Sequence, residues 1–186
     1  LPPIQSFSPT ELRLMQTALQ NGINAPFTSS AGRLFDAAAS LIGLRQYSSF
    51  EGQAAMDLEF IQAGRITDKC YPFAVTDNTG DLQIQSRILD LKATIKAIVD
   101  DLRAGVSAGE IATSFHNTLT EMIIDIAQRV GEKQVVLTGG CFQNKTLLEH
   151  TIDRLLDEGF SPYWHRTIPS NDGGIALGQI MAALRE

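Results

Sequence analysis

The sequence predicts a mixed α/β domain in which helices flank a sheet. An apolar, β-prone run at residues 134–137 leads through a Gly-Gly pair at 139–140 into a helical pattern. A second β-prone run at 161–167 leads through Asn171-Asp-Gly-Gly174 into the last helical pattern, and amphipathic helical patterns fill most of the first half. Because no internal repeat, low-complexity tract or linker interrupts the chain, we expect one domain over residues 1–186.

Two helices are predicted near the amino terminus. A capping box that begins at Ser8 starts a helix from Pro9 to Gln20, whose apolar side chains we interpret as packing support. Either Ser29 or Ser30 can cap the next helix, which ends at Gly43.

A third helical pattern covers residues 49–64 and places Gly52 in its first turn. Glycine in a helix interior costs up to about 1 kcal/mol relative to alanine. A close backbone approach or a ligand at Gly52 would explain why glycine is present.

The middle of the chain predicts a hairpin followed by two long helices. Residues 71–76 and 82–86 are β-prone and flank a turn-forming segment at 77–81, which indicates an antiparallel pair. Helical periods then run from Ile88 to Gly105 and from Ser107 through Ile126.

The composition excludes several classes of function. Hydrophobic residues make up 44% and charged residues 19%, as in soluble globular proteins. A net charge of −6 without a Lys or Arg cluster leads us to expect no nucleic-acid partner. Cys70 and Cys141 lie outside any CxxC motif, which favours a reducing, cytoplasmic location. No apolar run approaches the roughly 20 residues that span a bilayer, so we expect no membrane partner.

The Gly-Gly turn after the central strand is the first candidate binding site. Such a turn places backbone N–H groups and the positive end of a helix at the carboxyl edge of a sheet, where an anion or nucleotide can bind. Gly139 and Gly140 leave room for close approach. The turn matches neither GxGxxG nor GxxxxGK[ST], so an ordinary strand-to-helix connection is the alternative interpretation.

Two aspartates near helix starts are further candidates. Asp36 lies in the second turn of its helix, four residues after Gly32, which opens the face beside it. Asp172 lies in the turn before the last helix. The alternatives are a partner of the helix dipole for Asp36 and a helix cap for Asp172.

We predict structural and not chemical roles for His116 and Cys141. His116 borders the apolar stripe of its helix with no metal-ligating side chain at suitable spacing on that face, so we interpret it as a structural histidine. His150 and His165 also lack partners at a recognisable spacing. Cys141 follows an apolar strand without a neighbouring base, and we interpret it as a packing residue.

Four motifs together carry a family resemblance. They are Thr28-Ser-Ser-Ala-Gly-Arg-Leu-Phe-Asp36, Phe50-Glu-Gly-Gln-Ala-Ala55, Leu137-Thr-Gly-Gly-Cys-Phe-Gln-Asn144 and Pro169-Ser-Asn-Asp-Gly-Gly-Ile-Ala-Leu-Gly-Gln179. In this order they resemble the carboxyl-terminal part of the HypF carbamoyltransferases of nickel–iron hydrogenase maturation, from about Asn21 to the end of the chain.

The resemblance implies the second lobe of a TsaD-like domain, built on the two-lobed actin/Hsp70/sugar-kinase-like (ASKHA) fold. The family's first lobe carries two metal-binding histidines in an HxxxH helix, and this sequence contains no such motif. The family's acylphosphatase, zinc-finger and YrdC-like domains also have no counterpart here. We therefore expect a fragment of a longer protein, inactive by itself.

The resemblance also implies a role for each motif residue. Asp36 would hold the nucleotide ribose, Gly52 would contact the nucleotide through its backbone, Gly139 and Gly140 would line the approach of phosphate and adenosine, and Asn144 would hydrogen-bond the nucleotide. Asp172 would be this lobe's ligand for a divalent metal ion. Its hard carboxylate oxygen suits Fe²⁺, Zn²⁺ or Mg²⁺. The metal would be shared with the first lobe.

The reaction implied by the family uses carbamoyl phosphate and ATP, passes through carbamoyl-adenylate, and transfers the carbamoyl group to the carboxyl-terminal cysteine of the partner HypE. That thiocarboxamide becomes a cyanide ligand of the hydrogenase iron. Two alternatives are a generic ATPase or sugar-kinase lobe of the same fold and a non-catalytic module that docks HypE. The first would leave the Gly-Arg-Leu-Phe-Asp and Glu-Gly-Gln motifs unexplained, and the second predicts no nucleotide affinity.

Overall fold

The computed structural model describes residues 1–77 and 87–185. The described chain follows the predicted order of helices, an antiparallel strand pair, two helices, and then strand, helix, strand and helix. The helices are α1 (Pro2–Gln5), α2 (Pro9–Gln20), α3 (Ala31–Leu41), α4 (Gln53–Phe60), α5 (Lys92–Arg103), α6 (Ala108–Val130), α7 (Lys145–Asp157) and α8 (Ile175–Ala183). The strands are β1 (Ala74–Asp77), β2 (Arg87–Asp90), β3 (Gln134–Leu137) and β4 (Ser161–Trp164).

The amino-terminal helices begin at the predicted caps. Ser8 Oγ accepts from the Glu11 N–H at 3.3 Å, and the Glu11 carboxylate accepts from the Ser8 N–H at 2.8 Å, which completes the capping box of α2. Ser30 caps α3, because its Oγ accepts from the Arg33 N–H. The packing role predicted for α2 is wrong within the described chain, since all residues of α2 remain exposed or half-buried.

The antiparallel pair is present, with a shifted second strand. β1 pairs with β2, and the register joins Ala74 to Asp90. The strand predicted at 82–86 lies outside the described residues, as does most of the turn segment. The helix start predicted at Ile88 is wrong, because strand pairing continues to Asp90, whose carboxylate accepts from the Lys92 N–H where α5 begins.

The second half forms a parallel strand–helix–strand unit. β3 pairs with β4 in parallel, with Leu137 opposite Trp164, and α7 makes the crossover between them. The predicted mixed α/β architecture, with helices beside strands, is confirmed. Among the described strands, however, the two pairs form separate two-stranded sheets instead of one.

The helix α6 joins the two parts of the core. One apolar cluster packs α6 against α3, α4 and α5 and includes Phe35, Leu58 and Ile111, while a second packs the end of α6 against β3 and α7 and includes Leu137 and Leu155. Burying one such side chain contributes about 1.5–3 kcal/mol to stability. Although α6 has 23 residues, neither it nor any other described helix combines the length and apolar character needed to cross a membrane.

Candidate functional site

A polar cavity lies between the starts of α3 and α4. Its volume is about 940 Å³, and its walls include Asp36, Gly52 and the connecting residues Arg45, Ser48 and Ser49. The structure therefore brings two sequence-predicted site residues, Asp36 and Gly52, to one cavity.

Helical geometry directs Asp36 to the cavity wall. Phe35, Ala38 and Ala39 of α3 are buried in the core. Because an α-helix has about 3.6 residues per turn, Asp36 lies at the edge of that buried face. Its Oδ2 lies 2.9 Å from Arg33 Nη2, and its side chain is 34% exposed. Asp36 thus presents a half-buried carboxylate acceptor to the cavity.

Polar contacts hold the segment that connects α3 to α4. Arg45 Nε donates to Asp57 Oδ2 at 2.6 Å, and both side chains are about one-third exposed or less (31% and 26%). The Ser49 N–H donates to Gln53 Oε1 at 2.7 Å. These contacts fix the outer wall of the cavity relative to α4.

Gly52 precedes α4 and caps it, so its predicted place in the first turn is wrong. Its φ of 81° and ψ of −2° lie in the left-handed region, which glycine adopts without the cost that a Cβ brings. A Cβ at this position would meet no atom within 4 Å. Conformation, not crowding, is therefore the reason for glycine, and the helix interior that begins at Gln53 is unaffected.

The two glycine turns of the sequence meet in space. The Gly139 N–H donates to Ser170 O at 2.8 Å, which joins the turn after β3 to the loop before α8. Gly139 has φ 105° and ψ 159°, a combination essentially restricted to glycine. In the facing loop, a Cβ on Gly174 would lie 2.7 Å from Pro169 O, so this loop folds back closely on itself.

A second, largely apolar cavity of about 1490 Å³ runs from the Gly139–Gly140 turn along α6 to β2. Ser30, Arg33 and Ala37 line both cavities. The cavity of Asp36 and Gly52 therefore adjoins the cavity of Gly139 and Gly140 at the start of α3. This shared wall connects the surroundings of these four residues, whereas Asp172 lines neither cavity.

Asn144 lies apart from both cavities, in the interior. It is 7% exposed. Its Oδ1 accepts from the Leu147 N–H at 2.9 Å and so caps α7, while its Nδ2 lies 2.9 Å from His116 Nε2. Both ends of the amide are thus engaged by the protein. A direct contact between Asn144 and a nucleotide stays a prediction, and the described geometry gives this side chain a structural role.

The start of α7 is also engaged by a protein carboxylate. Glu59 Oε1 accepts from the Thr146 N–H at 3.0 Å and lies 3.4 Å from Thr146 Oγ1. The Leu147 N–H is bonded to Asn144 as well. Any anion at the Gly139–Gly140 turn would therefore meet the turn itself and not these first-turn amides of α7.

His116 is fully buried and its hydrogen bonds define its tautomer. Nδ1 lies 2.8 Å from Ala112 O, which can only accept, so Nδ1 carries the proton. Nε2 then accepts from Asn144 Nδ2. The Gln62 amide nitrogen lies 3.2 Å from Nδ1 and donates to Leu58 O at 3.4 Å.

Burial lowers the pKa of His116 below the ordinary value, against the raising effects of Ala112 O and the Glu59 carboxylate. The ring also makes edge contacts with Phe35 and Phe115. These observations agree with the structural role predicted for His116.

Asp172 is exposed in the loop that contacts the Gly-Gly turn. Over residues 1–77 and 87–185, no three His, Cys, Asp or Glu side chains lie close enough together to hold a metal ion. The described residues therefore do not fit a complete metal site. Asp172 as a metal ligand stays a prediction, and it requires further ligands from outside the described residues.

Both cysteines are poor candidates for a nucleophile. Cys141 is half-buried against the core, and burial raises the pKa of its thiol. Burial also raises the pKa of Cys70, with a contribution from the Glu121 carboxylate. The packing role predicted for Cys141 agrees with this environment, since a high pKa disfavours the reactive thiolate.

Sequence reasoning missed the basic and hydroxyl side chains of the polar cavity. Arg33 precedes Asp36 by three residues, a spacing that places both on one helix face. This spacing could have indicated that Arg33 lies in the same site as Asp36. Arg45, Ser48 and Ser49 belong to an irregular connection, for which periodicity gives no orientation.

Comparison with known proteins identifies the family. Residues 2–179 match the profile described as "Carbamoyltransferase, Kae1-like Domain, second subdomain". The carbamoyltransferase HypF of Synechocystis is 45% identical over 161 residues, which cover 87% of this chain and 20% of that protein. The carbamoyltransferase HypF of Rhizobium leguminosarum is 38% identical over 170 residues, which cover 88% of this chain and 21% of that protein.

The fold agrees with a solved structure of the same family. A full-length HypF, crystallised in its phosphate- and nucleotide-bound form, matches with a TM-score of 0.86 at 34% identity over 97% of this chain and 28% of that chain. The chain spans about a fifth of the length of the two carbamoyltransferases above (20% and 21%). On the match of its sequence profile and of its fold, the chain belongs to the family formed by the second subdomain of the carbamoyltransferase Kae1-like domain.

Proposed function

We propose that this chain is the nucleotide-binding part of the carbamoyl-transfer domain in a HypF-type carbamoyltransferase. The observation that carries the proposal is the pair of adjoining cavities, one with Asp36 and Gly52 and the other with Gly139 and Gly140. The solved HypF structure with which the chain shares its fold is a phosphate- and nucleotide-bound form. This supports a nucleotide as the ligand of the combined site.

The residues of the site suit the parts of a nucleotide. A ribose diol needs a carboxylate acceptor, which Asp36 offers at the wall of the polar cavity. Gly52 exposes its backbone, because a Cβ there would point into open space. A phosphate needs close backbone donors. Since the Gly139 N–H is bonded to Ser170 O, the candidate donor at this turn is the Gly140 N–H, which no side chain of either glycine obstructs.

The proposed reaction is the transfer of a carbamoyl group from carbamoyl-adenylate, made from ATP and carbamoyl phosphate, to the carboxyl-terminal cysteine of HypE. The thiol loses its proton to solvent, its sulfur attacks the carbamoyl carbon, the C–S bond forms, the C–O bond to the phosphate breaks, and AMP leaves. Asp36 and the two glycine turns hold the adenylate in position, which lowers the entropic part of the barrier. This lobe would act together with the first lobe of the longer protein.

The first test is AMP binding, measured by calorimetry for the chain and for Asp36→Ala. Hydrogen bonds to a charged group contribute about 1.5–3 kcal/mol, so we expect Asp36→Ala to weaken AMP binding about 10- to 100-fold. Asp153→Ala, which removes an exposed carboxylate on α7, is the matched control and should bind AMP as the parent chain does. Equal affinity in the Asp36→Ala and Asp153→Ala chains would contradict the ribose role.

The transfer itself is tested in a longer protein that contains this sequence. With ATP, carbamoyl phosphate and HypE, mass spectrometry should find the added mass of a carbamoyl group on the last cysteine of HypE. The same protein with Asp36→Ala should give much less of that product. If the Asp36→Ala protein carbamoylates HypE at an unchanged rate, the transfer does not depend on this site.

A further inference from the structure

Arg33 is the basic residue shared by the two cavities. Its side chain lines both the polar cavity beside Asp36 and the groove that leads to the Gly139–Gly140 turn. Its Nη2 lies 2.9 Å from Asp36 Oδ2, and the side chain is 59% exposed. Arg33 therefore holds the carboxylate that is proposed to bind ribose.

A ribose at Asp36 would compete with this ion pair. A carboxylate accepts only a limited number of hydrogen bonds, and a diol that uses both oxygens needs the position now occupied by the guanidinium. The Arg33–Asp36 pair is spaced i,i+3 on a helix, and its guanidinium is exposed while its carboxylate is half-buried. Because solvent screens such a pair, it contributes little and breaks easily. Because Arg33 lines both cavities, its guanidinium has a route from Asp36 toward the glycine turn.

Arg45, the other basic residue that lines the polar cavity, is paired with a different carboxylate. Arg45 Nε donates to Asp57 Oδ2 at 2.6 Å, in a more buried pair that holds the α3–α4 connection. Moving Arg45 would disturb the cavity wall, whereas moving Arg33 leaves the backbone of α3 in place. The Arg33 backbone N–H stays bonded to Ser30 Oγ whatever its side chain does.

We propose that Arg33 is an internal counter-ion that the nucleotide displaces. In the ligand-free chain Arg33 pairs with Asp36. In the complex the ribose takes Asp36, and Arg33 pairs with the phosphate, for which the planar guanidinium fork is well suited. Arg33 thus makes the site prefer a phosphorylated nucleoside over the bare nucleoside. This inference rests on the nucleotide site proposed above.

The test compares adenosine and AMP binding by calorimetry in the chain and in its Arg33→Ala variant. Loss of the phosphate contact should weaken AMP binding roughly tenfold or more. Adenosine binding should stay the same or become tighter, because the competitor for Asp36 is gone. Arg33→Lys, which keeps the charge but loses the fork, should bind AMP with intermediate affinity. Thermal unfolding of each variant, unchanged from that of the parent, will show that the exposed substitution leaves the fold intact.

The matched control is Arg13→Ala, which removes an exposed basic side chain on α2, outside both cavities. It should not alter the ratio of AMP to adenosine affinity. Three results would overturn the inference: equal weakening of both ligands in Arg33→Ala, no weakening of either, or a selective loss of AMP in Arg13→Ala. Failure of the nucleotide site gives a different result, in which the parent chain binds neither ligand or Asp36→Ala leaves adenosine binding unchanged.

Discussion

At the scale of single residues, His116 links the core to the cap of α7. The proton on Nδ1 goes to Ala112 O, and Nε2 accepts from Asn144, whose other end caps the helix. Protonation of Nε2 would place two donors face to face at 2.9 Å and would put a charge into the core. The network therefore requires a neutral histidine.

We predict that this requirement makes stability depend on pH. Burial lowers the pKa of His116 in the folded chain, below its ordinary value of 6.5. Below about pH 6.5 the His116 ring is protonated in the unfolded state but stays neutral in the folded state. The free energy of unfolding therefore falls as pH falls, by up to about 1.4 kcal/mol per pH unit. Urea unfolding at about pH 5 and about pH 7.5 should show a smaller pH-dependent loss in His116→Gln than in the parent chain.

The control for this prediction is His165→Gln, at an exposed histidine whose Nε2 contacts Thr138 Oγ1. It should keep the pH dependence of the parent chain. If the losses of the parent and of His116→Gln are the same, His116 is not the group that titrates.

The backbone conformation requires glycine at position 139 but not at position 140. Gly139 occupies a backbone region that costs other residues about 1–3 kcal/mol, whereas a Cβ on Gly140 would only touch the Asn171 Cβ at 3.9 Å. We expect Gly139→Ala to lower the free energy of unfolding by about 1–3 kcal/mol and Gly140→Ala to lower it by less than about 1 kcal/mol. Urea unfolding measures both, and equal losses would show that the turn does not require the Gly139 conformation.

At the scale of elements, the contact between α4 and α6 depends on Gly109. A Cβ there would lie 2.7 Å from Ile61 O, which is backbone and cannot turn away. We predict that Gly109→Ala destabilises the chain by about 1–3 kcal/mol, as overpacking does. Unfolding in urea measures the loss.

Gly178 in α8 is the matched helical control for Gly109. A Cβ at Gly178 would meet no atom within 4 Å. Since alanine is favoured over glycine in helices by up to about 1 kcal/mol, Gly178→Ala should leave stability unchanged or raise it. A loss in Gly178→Ala as large as that in Gly109→Ala would mean that the loss does not come from close packing of α4 on α6.

The helices show what periodicity can predict. The caps at Ser8, Ser30 and Ser107 act through local hydrogen bonds, and all three are visible in the sequence. The start of α5 is different, since the pairing of Asp90 with Ala74 decides that residues 87–90 form a strand. That pairing is a long-range interaction, and the local pattern from Ile88 onward gives no indication of it.

Packing is less predictable than helix formation. The apolar side chains of α8 remain exposed, among them Ile175, Ile180 and Met181, although the helix itself lies as predicted. The sequence of a helix indicates that it has an apolar surface. It does not indicate which surface covers it.

At the scale of the whole molecule, the site is built by long-range contacts between short motifs. Each motif is recognisable in the sequence, and the resemblance assigns it a role. The hydrogen bond from Gly139 to Ser170 and the shared wall at Arg33 are not recognisable there, because they depend on how α3, β3 and the last loop pack. The burial of Asn144 is a consequence of the same packing.

The measurement that most directly tests the account is a titration of the chain with AMP, followed by the backbone amide signals in NMR. If the two adjoining cavities form one nucleotide site, the largest shifts will fall at Gly52, around Arg33 and Asp36, and at the Gly139–Gly140 turn. The amides of β4 lie outside both cavities and should change little. Saturable shifts confined to β4 or α8, or to only one of the two cavities, would contradict the account.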